Sequence, residues 1–158
     1  MTDPAQEQSS DPSFGGLHVP KGAKDPRGRR GVVGVIMRDE TFLVIRRSQR
    51  VAAPGLLCFA GGGIEPGESE PQALIRELQE ELALEAEPVA CVWRSVTAWG
   101  TQLAWWTARI EADAEPVPNP AEVEAYMWMR REELEIAAKC LPSMPQFLSA
   151  WAQGEIEL

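Results

Sequence analysis

Glu77, Glu80 and Glu81 fall within a few residues of one another in the stretch "GGIEPGESEPQALIRELQEELAL", Gly62 to Leu84. On an α-helix this spacing gathers the three carboxylates on one side, where like charges repel by about 0.2–0.5 kcal/mol per pair. Cation binding is the chemistry that makes use of such a cluster. Hard divalent ions take oxygen ligands, and Mg²⁺ is typically held by one or two carboxylates, several waters and substrate phosphate oxygens. A cation there cancels the repulsion and draws in a polyphosphate that the carboxylates alone would repel. The competing reading is an ordinary solvated acidic face.

The segment that carries these residues reads as a helix from about Ser69 to Ala83. Ser69 and Gln72 have the spacing of a capping box, and Pro71 is tolerated in a first helical turn. On a wheel at about 100° per residue, Leu74, Ile75, Leu78 and Leu82 share an arc that faces a core. Glu77, Glu80 and Glu81 occupy a separate arc, with Arg76 at its edge. The glycines 61 to 63 before the helix read as a turn with few side chains, open to backbone and phosphate alike. Upstream, "GVVGVIM" and "TFLVIRR" flank the charged turn Arg38-Asp39-Glu40 as a hairpin would, and "LLCFA" predicts a short strand. Downstream, "VACVWRSVTAW" and "QLAWWTARIEA" predict an antiparallel pair joined near Gly100. The loop "EPVPNPAEVE" leads to a strand around Ala125–Met129, and two short helices follow, near Glu132–Lys139 and Pro145–Ala152. Such an order predicts α and β layers packed on each other.

The chain has 158 residues, 44% of them hydrophobic, enough for one domain with a real core. Residues 1–30 are rich in Pro, Gly, Ser and charge and read as an arm; residues 31–158 read as the domain. A formal net charge of −9 argues against a nucleic-acid polymer or an anionic membrane as partner. No apolar run is long enough for a bilayer, and the first residues lack the apolar core of a signal peptide. Cys58, Cys91 and Cys140 have neither zinc-ligand nor redox-motif spacing. Reduced thiols in a cytoplasmic protein are expected. His18, the one histidine, stands in the arm with no partner pattern.

The acidic stretch resembles the Nudix box, G-x5-E-x7-R-E-U-x-E-E-x-G-U, where U is a bulky aliphatic. Gly62, Glu68, Arg76, Glu77, Leu78, Glu80, Glu81 and Leu84 fall in register, and Ala83 stands where the family usually has Gly. The likeness extends over roughly residues 31–135 through "FLVIRRS" and "PGLLCFAGGGIEPGE". Ala60 departs from a common Pro there and Leu57 from a common aromatic. The resemblance implies an α/β fold, an α/β/α sandwich with a central mixed sheet. It implies Mg²⁺-dependent hydrolysis, with Mn²⁺ as the second choice of ion, of a nucleoside diphosphate linked to another group.

Carried onto this chain, the resemblance makes Glu77, Glu80 and Glu81 metal ligands, with the Gly62 carbonyl a further one. Arg76 orients the glutamates and Glu68 supports the loop. The general base is Glu77 or Glu122; Glu122 is also a candidate ligand, and Glu124 is the weaker choice. Arg47 is expected to reach phosphate or base. Trp99, Trp105 and Trp106 lie on the hairpin beside the expected cleft. Strand alternation sends Trp105 and Trp106 to opposite faces, so one of them at most meets ligand. Trp99 and Trp106 are the candidates for stacking on a base.

The expected substrate is a small phosphorylated nucleotide. The spacing from Arg46-Arg47 to the glycines resembles the MutT-like branch, which hydrolyses nucleoside triphosphates, oxidised ones included. However, "CLPSMPQF" lacks the asparagine that some of those enzymes use to read oxidised guanine. Dinucleoside polyphosphates, nucleotide sugars and ADP-ribose are the alternatives. Trp99 stands where ADP-ribose hydrolases often have Pro, and Gly100 where dinucleoside polyphosphate enzymes often have Tyr. A non-catalytic nucleotide sensor is the alternative of another class, disfavoured by the three intact helix glutamates. The resemblance also admits a homodimer.

Overall fold

Val32, Val33, Val35 and Ile36 are each at most 2% exposed, so the first strand, β1 (Arg30–Arg38), is apolar on both faces. A strand with that pattern belongs in the middle of a sheet covered on both sides. The computed structural model describes residues 29–158, and the expected arm lies, up to residue 28, outside them. Asp39 and Glu40 both take positive φ, 48° and 61°, and turn the chain into β2 (Thr41–Arg47). Two such residues form the tight loop whose twist suits a hairpin.

The hairpin is short: only Met37↔Phe42 and Arg38↔Thr41 pair before the strands part. Two further strands enter the opening. β3 (Leu57–Cys58) pairs with β2, and β4 (Gly61–Gly63) pairs with β1. The glycine triplet expected as a turn is therefore a strand. A Cβ on Gly61 would collide with the Val32 carbonyl, so only glycine lets the backbones come this close. The sheet continues with β5 (Glu87–Val96), β6 (Gln102–Arg109) and β7 (Val123–Arg130). β6 runs parallel to β1 and antiparallel to β5, while β7 runs antiparallel to β2. One parallel pair among antiparallel ones makes the sheet mixed.

Helices cover its two faces. The side of β1 that presents Gly34 packs on α1 (Glu70–Leu82), where a Cβ at Gly34 would lie 3.1 Å from Leu74 Cδ1. Val33, the preceding residue, faces the other way beside its register partner Trp105. Trp105 stacks on Phe147 with ring centroids 4.9 Å apart, and Phe147 belongs to α3 (Ser143–Ala152). Phe59 joins that cluster edge-on to Phe147 at 5.4 Å. A single turn and a half, α2 (Arg131–Ile136), lies between β7 and α3. The result is the α/β/α arrangement that the resemblance implied.

The capping box of α1 forms in full. Ser69 Oγ accepts from the Gln72 N–H at 3.3 Å, and Gln72 Oε1 accepts from the Ser69 N–H at 2.9 Å. Leu74, Leu78 and Leu82 are fully buried, together with Ala73. Ile75 departs from expectation at 44% exposed. It lies beyond the covered arc, over a shallow groove shared with Leu84 and Ala86.

The helix ends on Ala83 in the left-handed conformation, φ 50° and ψ 35°, where its N–H bonds back to the Gln79 carbonyl. A side chain there costs about 1–2 kcal/mol, which glycine avoids. Glycine also adds freedom to the unfolded chain and returns part of the gain. Ala83→Gly is thus expected to raise stability by about 0.5–1 kcal/mol. Urea unfolding checks it: an unchanged or lower midpoint would show that the cap is not strained.

Candidate active site

Where β1 and β2 part, a cavity of about 330 Å³ opens. Arg47 at the end of β2, Gly61 and Gly63 of β4, Arg76, Glu77 and Glu81 of α1, and Glu122 before β7 all line it. Four segments distant in sequence meet there because the sheet splits at that point. The Pro-rich loop fixes the last of them. The Val117 N–H donates to the Leu82 carbonyl at 2.7 Å, and the Asn119 N–H to the Glu81 carbonyl at 2.9 Å, which satisfies the end of α1. The Asn119 carbonyl in turn accepts from the N–H groups of Glu122 and Val123, at 2.9 and 2.7 Å. The Glu122 carbonyl accepts from Ser48 at 3.0 Å, next to Arg47.

The carboxylates that line the cavity are largely withdrawn from solvent. Glu81 is 6% exposed and accepts a hydrogen bond from the Gly61 N–H at 3.3 Å. Burial raises its pKa well above the ordinary range, and the charges of Glu77 and Glu122 push it further. Burial likewise raises Glu77 and Glu122. Glu122 Oε2 is buried without a hydrogen-bond partner. Such an oxygen is costly unless something in the cavity completes it.

Arg76 opposes that charge. Its Nε and Nη2 donate to the two oxygens of Glu68 at 2.8 and 2.9 Å, and Nη1 donates to Glu77 at 2.8 Å and Glu80 at 3.2 Å. Nη2 also donates to the Gly63 carbonyl at 2.8 Å. These partners hold the guanidinium fully protonated. The Glu77 carboxyl group lies over Gly62, where any Cβ would fall inside it.

Among the described residues no group of three or more His, Cys, Asp or Glu side chains is placed to hold a metal ion by itself, so a cation here would need oxygens from substrate and water as well. The donors instead form an open set, Glu77, Glu81 and Glu122, with Glu80 half exposed outside the cavity lining. An open set of carboxylate oxygens suits Mg²⁺, which keeps waters and takes substrate oxygens. The unpartnered Glu122 oxygen fits the same ion.

Arg47 is buried, and its Nε donates to the Ala52 carbonyl at 2.7 Å, so it pins the loop 48–56 while it lines the cavity. Beside it, burial pushes the Cys58 thiol up to about 12, which leaves it protonated and inert as a nucleophile. The tryptophans lie elsewhere. Trp105 is core, 1% exposed, and Trp99 is buried at 5% in the turn between β5 and β6. Alternation sends Trp106 to the α1 face, where its indole N–H donates to Glu70 Oε2 at 2.9 Å. Neither Trp99 nor Trp106 lines the cavity. Glu124 pairs with Arg46 at 3.9 Å, away from it. Val51, Ile64 and Pro66 also line the cavity, and no motif singles them out. The turn signal Pro66-Gly67 beside the glycines was the one available clue.

Arg76 holds the Glu68 carboxyl down from 4.5 to about 2, chiefly through its hydrogen bonds. A folded value below the unfolded one gives stability that is present above the unfolded pKa and lost as pH falls through the folded one. Glu68→Gln is therefore expected to lower stability at pH 7 by about 1 kcal/mol. Its difference from the parent should shrink below about pH 4.5 and vanish near about pH 2. A gap that stays constant on acid titration of the unfolding midpoint would contradict this.

A profile of the NUDIX domain matches residues 28–150. A CTP pyrophosphohydrolase of Escherichia coli (strain K12) is 35% identical over 124 residues, 75% of this chain and 90% of that protein. An NAD-capped RNA hydrolase NudC of Stutzerimonas stutzeri is 29% identical over 109 residues, and the chain spans 39% of its length. Among solved structures, the MutT protein of Methanosarcina mazei Go1 superposes with a TM-score of 0.72 at 19% identity, covering 82% of this chain and 96% of that one. The E. coli ORF135 protein gives 0.63 at 30% identity, covering 79% and 89%. The glutamate helix, its glycine strand and the split mixed sheet thus occur here within a domain matched over nearly its whole length, and the chain belongs to the Nudix family of hydrolases, which act on pyrophosphate bonds.

Proposed function

We propose that this protein is a Mg²⁺-dependent nucleoside triphosphate pyrophosphohydrolase, releasing a nucleoside monophosphate and pyrophosphate. The observation that carries the reading is the meeting of Glu77, Glu81 and Glu122 with Arg47 in one cavity. Similarity to a CTP pyrophosphohydrolase over most of both chains favours a triphosphate, with CTP the first to try. Residues 31–158 form the catalytic unit in this reading. The free thiols Cys58, Cys91 and Cys140 suit a reducing compartment such as the cytoplasm.

Glu77, Glu81 and Glu122, with Glu80 and the Gly62 carbonyl, would hold the cation. Mg²⁺, or Mn²⁺ in its place, neutralises phosphate oxygens when bound and makes a water more acidic. The chain's own residues do the rest. With the buried, unpartnered Oε2 turned to the ion, Glu122 accepts a proton from the attacking water on its other carboxyl oxygen. Arg47 supplies positive charge at the cavity wall, and the glycine strand lets phosphates approach the backbone. Arg76 keeps Glu77 turned inward. Ile45 and Val51 wall the cavity with apolar surface and limit stray water.

Hydrolysis of CTP, other normal and oxidised triphosphates, dinucleoside polyphosphates, nucleotide sugars and ADP-ribose, with products weighed by mass spectrometry, tests this. A triphosphate is expected to yield monophosphate and pyrophosphate. Glu122→Gln should lower kcat by about 10²–10⁴ if it takes the proton; kinetics like the parent's would remove it from that role. Gly62→Ala adds a Cβ where the Glu77 carboxyl lies. Activity should fall about 10–100-fold while the melting temperature hardly moves. Turnover of ADP-ribose or dinucleoside polyphosphates in preference would move the substrate assignment, and nucleotide binding without turnover would make the protein a sensor.

A further inference from the structure

A second cavity of about 140 Å³ lies on the α1 side of the sheet, lined by Arg30, Ile64, Glu70, Arg94 and Gln102 among others. Ile64 lines the larger cavity as well, so the two are neighbours across one residue. Its N–H donates to the Arg30 carbonyl at 2.9 Å, which fixes the partition to β1.

At the base of the small cavity a single carboxylate collects two guanidiniums. Glu70 Oε1 accepts from Arg30 Nη2 at 2.9 Å and from Arg94 Nη1 at 2.8 Å. Glu70 Oε2 accepts from Arg94 Nη2 at 3.1 Å and from the Trp106 indole at 2.9 Å. One acid against two bases leaves a net positive charge, in a chain whose formal charge is −9. The Glu70 side chain is 11% exposed, whereas those of Arg30 and Arg94 are 51% and 64% exposed. The carboxylate is spent inward and the cations remain accessible. Each guanidinium carries five N–H donors, and Glu70 takes one from Arg30 and two from Arg94. The space amounts to roughly four or five waters, at about 30 Å³ each, which holds a tetrahedral oxyanion.

We propose that Arg30 and Arg94, braced by Glu70, form a subsite for the terminal phosphoryl group of a polyphosphate whose scissile bond lies in the larger cavity. The subsite rests on the reading of that cavity as a polyphosphate site. Glu70 holds two like charges side by side, so a phosphate dianion meets a fork already assembled. Arg forks match phosphate oxygens in geometry as well as charge.

The test pairs kinetics with calorimetry on the full chain. Arg94→Gln and Arg30→Gln are each expected to raise KM for a nucleoside triphosphate about tenfold, with kcat within about twofold and an unchanged melting temperature. Arg94→Lys, which keeps the charge and loses the fork, should recover only part of that loss. Calorimetry with inorganic tripolyphosphate should show the same weakening, and with a nucleoside monophosphate none. This arm reads the subsite even where no nucleotide is hydrolysed, so its failure and that of the catalytic reading can be told apart. Affinities and KM unchanged in both variants would overturn the proposal. So would weaker binding of free orthophosphate with an unchanged triphosphate KM, which would mark a site for the free ion. Equal losses for monophosphate and triphosphate, or no recovery in Arg94→Lys, would reduce the cluster to an anchor for α1 and overturn it too.

Discussion

The site depends on one guanidinium. Arg76 reaches back to the Gly63 carbonyl and the Glu68 carboxylate in the approach to the helix, and sideways to Glu77 and Glu80 on the helix itself. Its partners would repel one another without it. With it, the loop before the helix and the helix's acidic face become one rigid body, and the Glu77 carboxyl is set down on Gly62. Rigidity at this point matters because a site must be held to a fraction of an ångström by groups outside the reacting set. Arg76 itself is kept charged by the same partners.

Topology supplies what one side chain cannot. β1 and β2 share two register pairs and then diverge, and the strand of glycines fills the side of the gap next to α1. A fully zipped hairpin would leave no cavity. The loop of Val117 and Asn119 then serves two purposes. It satisfies carbonyls at the end of α1 and delivers Glu122 against Glu81. The carboxylates that crowd the site are thus positioned by backbone hydrogen bonds, which hold whatever the charge state of the side chains.

How much of this the sequence disclosed depended on distance along the chain. The Ser69–Gln72 cap, the Asp39-Glu40 turn and the alternation of Trp105 with Trp106 are local, and each is found as expected. A wheel gives the direction of an apolar arc and not its width, so it places Ile75 in the core where the fold leaves it 44% exposed. Glycine's usual meaning is a bend, and the partner that makes residues 61–63 a strand, β1, lies far upstream. The place of Glu122 came from the resemblance alone, and its position rests on the Asn119 relay, which no local pattern shows. Trp106 was a candidate for stacking on a base. Its indole is instead taken up by Glu70, a residue on the far side of a helix and a strand from it in sequence.

The parallel pairing of β1 with β6, from Arg30↔Gln102 to Ile36↔Ala108, carries a consequence for how the molecule comes into being. β1 is made first and β6 only after the glutamate helix and β5. During synthesis the helix therefore emerges before the sheet it rests on is complete, and one whole edge of β1 waits with its valines uncovered. Contacts of such long separation close slowly, because the loop entropy must be met before they form. A waiting apolar strand is also the kind of edge that adds to another chain. A nascent chain arrested before Gln102 can therefore seat the glutamate helix on β1 and β4, but it leaves the β6 edge of β1 open and Trp105 missing from the opposite face.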